Sequence, residues 1–276
     1  MKSALRGLLA AAGIVALASG ALAQDVPAPG KSARIDAIKK AGVLRVAVLA
    51  NAPWLVENTT GGGEHWSGPA WDLAKEYAKR LNVKLEPVLV SHETKVPVLA
   101  SNQVDISITA LAETPERIPV VDFILYSNTS VCMFGRADNA KFANAKSVDD
   151  LNSPDITIAY FIGAAEEGWV KQRFPKAKHL GVANSGATAP LEDVMAKRAD
   201  AAPINRIPYV PMARKVKGLA SLPKENNCQG STEKAQPVGI AIDKKQPEFL
   251  EWARAVEKSI HPQLVESEQK VIDTMK

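Results

Sequence analysis

The stretch "DISITALAETPERIPVVDF", residues 105–123, joins a strand-like run to a turn that contains an arginine. The run "VDISITAL" alternates in the way that is typical of a strand packed inside a sheet. Thr114, Pro115 and Glu116 then predict the first turn of a short helix. Arg117 therefore stands at a strand end, where a guanidinium is either a surface charge or a fixed fork for an anion.

The first 23 residues have the pattern of a cleavable signal peptide. Lys2 and Arg6 precede the apolar run "GLLAAAGIVALA", which is shorter than the roughly 20 residues that a membrane span needs. Residues 21–23, "ALA", provide a small-x-small cleavage site. We expect cleavage after Ala23 and a soluble mature protein in the periplasm.

Composition excludes several kinds of function. Removing Lys2 and Arg6 lowers the formal net charge from +4 to +2, which gives no electrostatic reason to expect a nucleic acid partner. The four histidines are scattered without metal-ligand spacing, and there is no G-x-S-x-G nucleophile motif. We predict no metal, no cofactor and no catalytic residue.

Strand-like and helix-like segments alternate along the chain. "VLRVAVLA", "AWDLAKEYAKRL", "KLEPVLV" and "VDISITAL" form a first series, and a second begins with "ITIAYF" and "AAEEGWVKQRF". Such alternation predicts βαβ units and largely parallel sheets. Two consecutive series indicate two lobes, with the chain returning to the first lobe at "VGIAI", residues 238–242.

Five segments follow the order and spacing of one protein family, and they are "GVLRVAVLANAPW", "DLAKEYAKRLNVKLEPVLV", "VPVLASNQVDISITALAETPERIPVVDF", "AKRADAAPI" and "VGIAIDKKQPEFLEWARAVE". The chain resembles the family 3 periplasmic solute-binding proteins, the polar amino-acid receptors of bacterial ABC importers. The resemblance covers nearly the whole mature chain, and T-P-E-R followed by V-V-D-F is its most specific part.

The resemblance implies an α/β, type II-like periplasmic-binding-protein fold, with the ligand cleft between two lobes that two hinge strands join. On this basis we assign residues 1–23 to the signal peptide and residues 35–131 and 237–276 to lobe 1. Residues 132–236 form lobe 2, which is inserted into lobe 1.

The resemblance also implies a ligand-binding set. Arg117 stands where the family's cleft arginine pairs with a ligand carboxylate, because a guanidinium fork matches carboxylate geometry. Trp54 stands where the family places a ring beside the ligand, and Asn51 replaces a second, commonly aromatic, position. The backbone N–H groups at a helix start favour anions and supply donors from lobe 2, and here they belong to Gly163, Ala164 and Ala165.

Several positions depart from the family pattern. Ala110 and Ala112 replace hydroxyl residues at the strand end before T-P-E-R, Ala165 replaces another hydroxyl, and Ala70 replaces an acid. Asn205 stands where the family carries an acid for the ligand's α-ammonium. We therefore expect the ligand to depend on its carboxylate more than on an ammonium group. Nearby rings are candidates for stacking on it, namely Trp66, Trp71, Tyr160 and Phe161.

The two cysteines, Cys132 and Cys228, are exported to a compartment that favours disulfides. Both lie beside the strand-like crossings between the lobes. Sequence alone does not show that they are close enough to bridge. We predict that they pair.

Three functions remain open. The first is a monomeric binding component that captures a small carboxylate-bearing solute and delivers it to an inner-membrane ABC permease. The second is an accessory protein of a periplasmic quinoprotein dehydrogenase. The third is a cyclohexadienyl-dehydratase-like enzyme, which needs a general acid in the cleft. The crossing stretch "PINRIPYVP" offers no carboxylate, so we expect the protein not to be an enzyme.

Overall fold

The computed structural model describes residues 25–183, 188–207, 216–228 and 230–275. The predicted signal peptide lies outside the described residues. The helices are α1 (Ala33–Ala41), α2 (Pro69–Leu81), α3 (Pro97–Ala100), α4 (Ala140–Ala143), α5 (Ala165–Arg173), α6 (Ala189–Met195) and α7 (Pro247–Thr274). The strands are β1 (Val43–Val48), β2 (Val56–Glu57), β3 (Trp66–Ser67), β4 (Lys84–Leu89), β5 (Ile106–Ala112), β6 (Val121–Thr129), β7 (Val131–Arg136), β8 (Thr157–Phe161), β9 (Lys178–Val182), β10 (Ala202–Asn205), β11 (Leu219–Leu222) and β12 (Gln236–Asp243).

The largest sheet has the strand order β4-β1-β5-β12-β6. Strand β1 runs parallel to β4 and β5, whereas β12 runs antiparallel to β5 and β6. The expected largely parallel sheet is therefore wrong for this half of the molecule. The physical reason is that β12 enters the sheet directly from the other lobe, without the helical crossover that a parallel neighbour requires.

The second lobe contains an antiparallel sheet of order β10-β7-β11 and a parallel pair, β8-β9. A bridge between Ile158 and Ala201 connects the two. Each lobe has its own apolar core. Tyr77 on α2 and Trp252 on α7 are buried in the first, and Phe142 and Phe174 are buried in the second.

The backbone crosses between the lobes at two adjacent places. Strand β6 continues through Ser130 into β7, and residues 233–236 lead back into β12. The N–H of Val131 donates to the carbonyl of Glu233 at 2.9 Å, so the two crossings are bonded to each other. The lobe boundaries assigned from the sequence stay a prediction.

The motif turn at Thr114 differs from its prediction. The N–H groups of Arg117 and Ile118 both donate to the Thr114 carbonyl, but the turn does not extend into a helix. Pro119 follows directly and has no N–H to donate, which stops helix growth. By contrast, the helix predicted to end at Gly42 does so, with Gly42 in the left-handed conformation at φ 69°.

The sulfur atoms of Cys132 and Cys228 lie 2.07 Å apart, and their Cα atoms lie 6.1 Å apart. Both residues are buried, and Cys132 lies within β7. Among the described residues, none of the helices is both long enough and apolar enough to span a bilayer.

Candidate functional site: the cleft between the lobes

A cavity of about 360 Å³ lies between the two lobes. Its walls come from chain segments that directly follow strands β1, β4, β5 and β8, and from the end of β10. In open α/β sheets, ligands bind beyond the carboxyl ends of the strands, where loops with free side chains converge. A volume of this size suits a small molecule.

Seven of the nine predicted ligand-binding residues line this cavity, namely Asn51, Trp54, Ala110, Ala112, Arg117, Ala165 and Asn205. Gly163 and Ala164 do not line it. The sequence motifs therefore identified the cavity, although not all of its chemistry.

Arg117 is a buried cation, 8 % exposed. Its guanidinium donates to the Ala112 carbonyl at 3.0 Å within its own lobe and to the Gly163 carbonyl at 3.2 Å across the cleft. Burial lowers the pKa of Arg117, and the charge of Glu166 opposes that effect. The fork is thus held in place by backbone carbonyls, and no carboxylate among the described residues forms an ion pair with it.

The start of α5 on the second lobe does not offer all three of the backbone N–H groups that were predicted to bind the ligand. The N–H of Gly163 donates to the Glu167 carboxylate at 2.8 Å, and the N–H of Ala164 donates to the Phe161 carbonyl at 3.2 Å. These two donors are therefore occupied within the protein. Of the three residues only Ala165 contacts the cavity, whereas Gly163 contributes a carbonyl that positions Arg117.

Asn205 lines the cavity and has a buried amide nitrogen without a hydrogen-bond partner among the described residues. Its Oδ1 accepts from the N–H of Ile207 at 3.1 Å. Since a backbone N–H can only donate, this bond assigns the other amide atom as the nitrogen. That Nδ2 is buried without a partner among the described residues. A buried donor without a partner is costly, which favours a ligand that accepts a hydrogen bond here.

Trp54 forms a fixed wall of the cavity. It is 1 % exposed, and its Nε1 donates to the Ser127 hydroxyl at 2.9 Å. That hydroxyl donates in turn to Glu268 on α7 at 3.0 Å. Burial raises the pKa of Glu268, while the bonds from Ser127 and Trp54 lower it. The indole is therefore oriented by a polar chain that reaches the C-terminal helix.

The other predicted rings divide between core and cleft. Trp66 and Tyr160 are buried in the two apolar cores, and Trp71 packs against the first, so none of the three lines the cavity. Phe161 does line it and stacks on His92 of the opposite lobe, with ring centroids 4.4 Å apart. The alternating pattern of a strand does not reveal which of two neighbouring rings faces a cleft.

Sequence reasoning missed Lys95 and His92, which also line the cavity. Lys95 is 4 % exposed, and its Nζ lies 3.2 Å from Nδ1 of His92. Burial lowers the pKa of Lys95 to about 7, with a further lowering by Arg117. Burial and then Lys95 lower the pKa of His92 to about 3, so the imidazole is neutral and its Nδ1 accepts from the ammonium.

Glu166 is the one carboxylate among the described residues that line the cavity. Its Oε1 lies 3.3 Å from Nζ of Lys234, whose side chain is 3 % exposed. Burial raises the pKa of Glu166, but Lys234, Lys95 and Arg117 lower it more, to about 2. Glu166 follows the predicted helix start directly, so its position in the sequence was the available signal.

The presence of Glu166 corrects one premise about catalysis. The cleft does contain a carboxylate, contrary to the expectation from "PINRIPYVP". A carboxyl group with a pKa of about 2 is ionised at neutral pH and has no proton to donate as a general acid. Within the described residues, no group of three or more His, Cys, Asp or Glu side chains is arranged to hold a metal ion.

These features define a class: a two-lobed α/β binding protein with its ligand site in the cleft. Comparison with known proteins gives the family. Residues 44–275 match the family model described as bacterial extracellular solute-binding proteins, family 3, and the chain belongs to this family. The family and the two-lobed fold predicted from the sequence are both confirmed.

Three solved binding proteins are similar to this chain. The chain is similar to an ancestral amino acid-binding protein described as a precursor of cyclohexadienyl dehydratase, with 29 % identity, a TM-score of 0.68, and coverage of 87 % of this chain and 98 % of that one. An amino acid ABC transporter substrate-binding protein from Streptococcus pneumoniae, bound to L-arginine, is 23 % identical, with a TM-score of 0.72 and coverage of 88 % and 97 %. The cysteine-binding protein from Campylobacter jejuni is 23 % identical, with a TM-score of 0.72 and coverage of 87 % and 93 %.

One curated relative is an enzyme, and the match to it is partial. A membrane-bound lytic murein transglycosylase F from Aliivibrio fischeri is 34 % identical over 86 residues. The match covers 31 % of this chain and spans 17 % of the length of that relative.

Proposed function

We propose that the protein is the periplasmic substrate-binding component of an ABC importer, and that it captures a small carboxylate-bearing solute by closure of its two lobes. The observation that supports this proposal best is Arg117, a buried guanidinium that lines the cavity and forms no ion pair with a carboxylate in the part of the chain that the structure describes. Uncompensated buried charge is costly, so a bound anion stabilises the site.

The contacts across the cleft support the closure part of the proposal. Arg117 bonds to Gly163 of the opposite lobe, and His92 stacks on Phe161. A ligand in the cavity contacts both lobes and so stabilises their closed arrangement. We propose in addition that the closed form delivers its ligand to an inner-membrane permease and that the protein is a monomer in the periplasm, and membership of the family supports this.

Substitution of Arg117 tests the carboxylate. Thermal-shift screening of the mature protein against organic acids and amino acids comes first, because a ligand that binds only the folded state raises the melting temperature. With the ligand found, Arg117→Ala weakens binding by about 2–5 kcal/mol, the range for truncating one partner of a buried charge pair. Arg117→Lys recovers part of that loss, because a point charge lacks the fork.

The controls separate the remaining functions. Arg136→Ala removes another partly buried arginine, which donates to the Val194 carbonyl away from the cavity, and is expected to bind like the parent. If Arg117→Ala also binds like the parent, the carboxylate proposal is wrong. Dehydrogenase-dependent capture of the protein would then favour the accessory function.

A further inference from the structure

The charges around the cavity do not balance. Three cations, Lys95, Arg117 and Lys234, lie around the Glu166 carboxylate, and we call these four residues the cleft charge cluster. The carboxylate of Glu116 also acts on Arg117 and Lys234, but it is exposed and does not line the cavity. Two of the cations come from lobe 1, and Glu166 and Lys234 lie on the other side of the cleft. With all three cations protonated, the cluster carries a net charge of +2.

The pairing inside the cluster shows where the excess charge lies. Glu166 is matched by Lys234 at 3.3 Å, and the Lys234 ammonium makes no hydrogen bond among the described residues beyond this ion pair. Arg117 donates to two carbonyls, and Lys95 lies against the neutral His92. Lys95 and Arg117 are therefore the two cavity-lining cations that form no ion pair with a carboxylate among the described residues.

We propose that the cleft binds a small dianion of the dicarboxylate class, and that Lys95 and Arg117 are its two anion-binding cations. This inference rests on the proposed function and assigns its substrate class. Asn205 lines the same cavity, and its Nδ2 has no hydrogen-bond partner among the described residues, so it is a candidate neutral donor. Apolar walls from Trp54, Ala110 and Ile204 fit the carbon chain between the two carboxylates.

The same cluster argues against a cationic ligand. A ligand guanidinium or ammonium in the cavity would add a positive charge beside Lys95 and Arg117, neither of which forms an ion pair with a carboxylate among the described residues. The Glu166 carboxylate is already paired with Lys234. Binding of a dianion instead stabilises the protonated form of Lys95, which faces His92, Arg117, Glu166 and Lys234. Proton uptake should therefore accompany binding.

The test compares ligands that differ by one charge. Glutarate and valerate have five carbons each, and glutarate carries the second carboxylate. Calorimetry on the mature protein should give an affinity for glutarate at least about tenfold higher than for valerate. In Lys95→Met, glutarate should lose at least about tenfold, while valerate stays within about twofold. Lys79→Met, an exposed lysine on α2, should behave like the parent.

Proton uptake gives a second readout that does not require a variant. At pH 8, the heat of glutarate binding in Tris and in HEPES should differ by an amount that corresponds to uptake of a proton, because Lys95 is largely neutral before binding. Valerate should show a smaller difference. If Lys95→Met does not fold, Lys95→Gln replaces it. The comparison of glutarate with valerate on the parent protein, by affinity and by proton uptake, still tests the proposal without a variant.

The outcomes distinguish the two proposals. Equal affinities for glutarate and valerate, both abolished by Arg117→Ala, would overturn the dianion and leave the carboxylate function intact. Equal losses of both ligands in Lys95→Met would overturn the role of Lys95. Binding of L-arginine but of neither acid would overturn the dianion, and if Arg117→Ala bound L-arginine as the parent does, the carboxylate function would be overturned as well.

Discussion

At the scale of single residues, Asn205 shows how one side chain sets which groups a cleft can offer to a ligand. It stands at the end of β10 and lines the cavity, as the family resemblance implied. Because its Oδ1 is occupied by the N–H of Ile207, the group that it offers is a donor. An acid at this position would offer an acceptor for an ammonium group instead.

Replacing Asn205 should therefore change which ligand binds. Asn205→Asp is expected to shift preference towards L-glutamate and away from glutarate, which is the same acid without the α-amino group. Hydrogen bonds to charged groups contribute about 1.5–3 kcal/mol, so the ratio of the two affinities should change by at least about tenfold. Calorimetry with both ligands measures that ratio.

Asn152→Asp is the matched control, since the Asn152 Oδ1 also accepts from a backbone N–H, that of Lys176, on the exposed side of lobe 2. An unchanged ratio in Asn205→Asp would contradict the proposed contact of this amide with the ligand.

At the scale of elements, the turn before α5 is built for close contact between the lobes. Gly163 has φ 76°, a conformation that favours glycine, and a Cβ placed there would lie 2.8 Å from Cα of Glu93 and 2.8 Å from the carbonyl of His92. The segment between β4 and α3 therefore sits against a bare backbone. This contact brings Lys95 and Arg117 towards Glu166.

Gly163→Ala should oppose closure, because the added methyl group collides with the backbone of the other lobe. We expect the ligand affinity to fall at least about tenfold, since only the closed form carries contacts from both lobes. Small-angle scattering with and without ligand should show a smaller change in radius of gyration than in the parent.

Gly218→Ala separates this clash from backbone strain. Gly218 has φ 79°, and a Cβ there would meet nothing within 4 Å. In both variants an alanine must adopt a positive φ, which should lower the free energy of unfolding by a similar amount. Only Gly163→Ala should also lose affinity for the ligand. Equal losses in the two variants would show that the effect is one of folding stability and not of closure.

At the scale of the whole molecule, burial of charge links stability to pH. Lys95 has a pKa of about 7 in the folded protein, largely because it is buried, against 10.5 as its ordinary value. Between these values the unfolded chain holds a proton on this group and the folded protein does not. The contribution of Lys95 to the free energy of unfolding therefore becomes more favourable to the folded protein as the pH rises from about 7 towards 10.

The ligand-free protein should show that dependence. From pH 7 to pH 9, the free energy of unfolding of the parent should rise relative to that of Lys95→Met by up to about 1.4 kcal/mol per pH unit. Urea denaturation at several pH values measures the difference, and Lys79→Met serves as the exposed control. Parallel profiles for the parent and Lys95→Met would contradict the burial of a titrating ammonium.

The pairing of Cys132 with Cys228 is a second whole-molecule prediction, because the bond would close a loop of 96 residues within one lobe. Thiol titration of the unreduced, denatured protein should find no reactive thiol. Changing both residues to alanine should lower the free energy of unfolding by about 2–5 kcal/mol, and a reductant should then have no further effect on that variant. Two reactive thiols would contradict the pairing.

The two-lobed fold could be predicted from the sequence, and so could seven of the residues that line the cavity. Hydrophobic periodicity marked the strands and helices, because alternation and 3.6-residue spacing arise from local backbone geometry. The motif around Arg117 then identified the cleft, since a local turn sets the position of that side chain relative to its strand. Such features depend on residues that are near each other in the chain.

The arrangement of charged side chains in the cleft could be seen only in the three-dimensional structure. Lys95, Glu166 and Lys234 are far apart in sequence, and each resembles an ordinary surface residue in its own segment. Lys234 stands just before β12, which returns antiparallel between β5 and β6, a direct crossing that periodicity could not distinguish from a parallel connection. The burial of these side chains, the distances between them and their pKa values depend on which surfaces the two lobes remove from water. None of these quantities can be read from the separate segments of sequence.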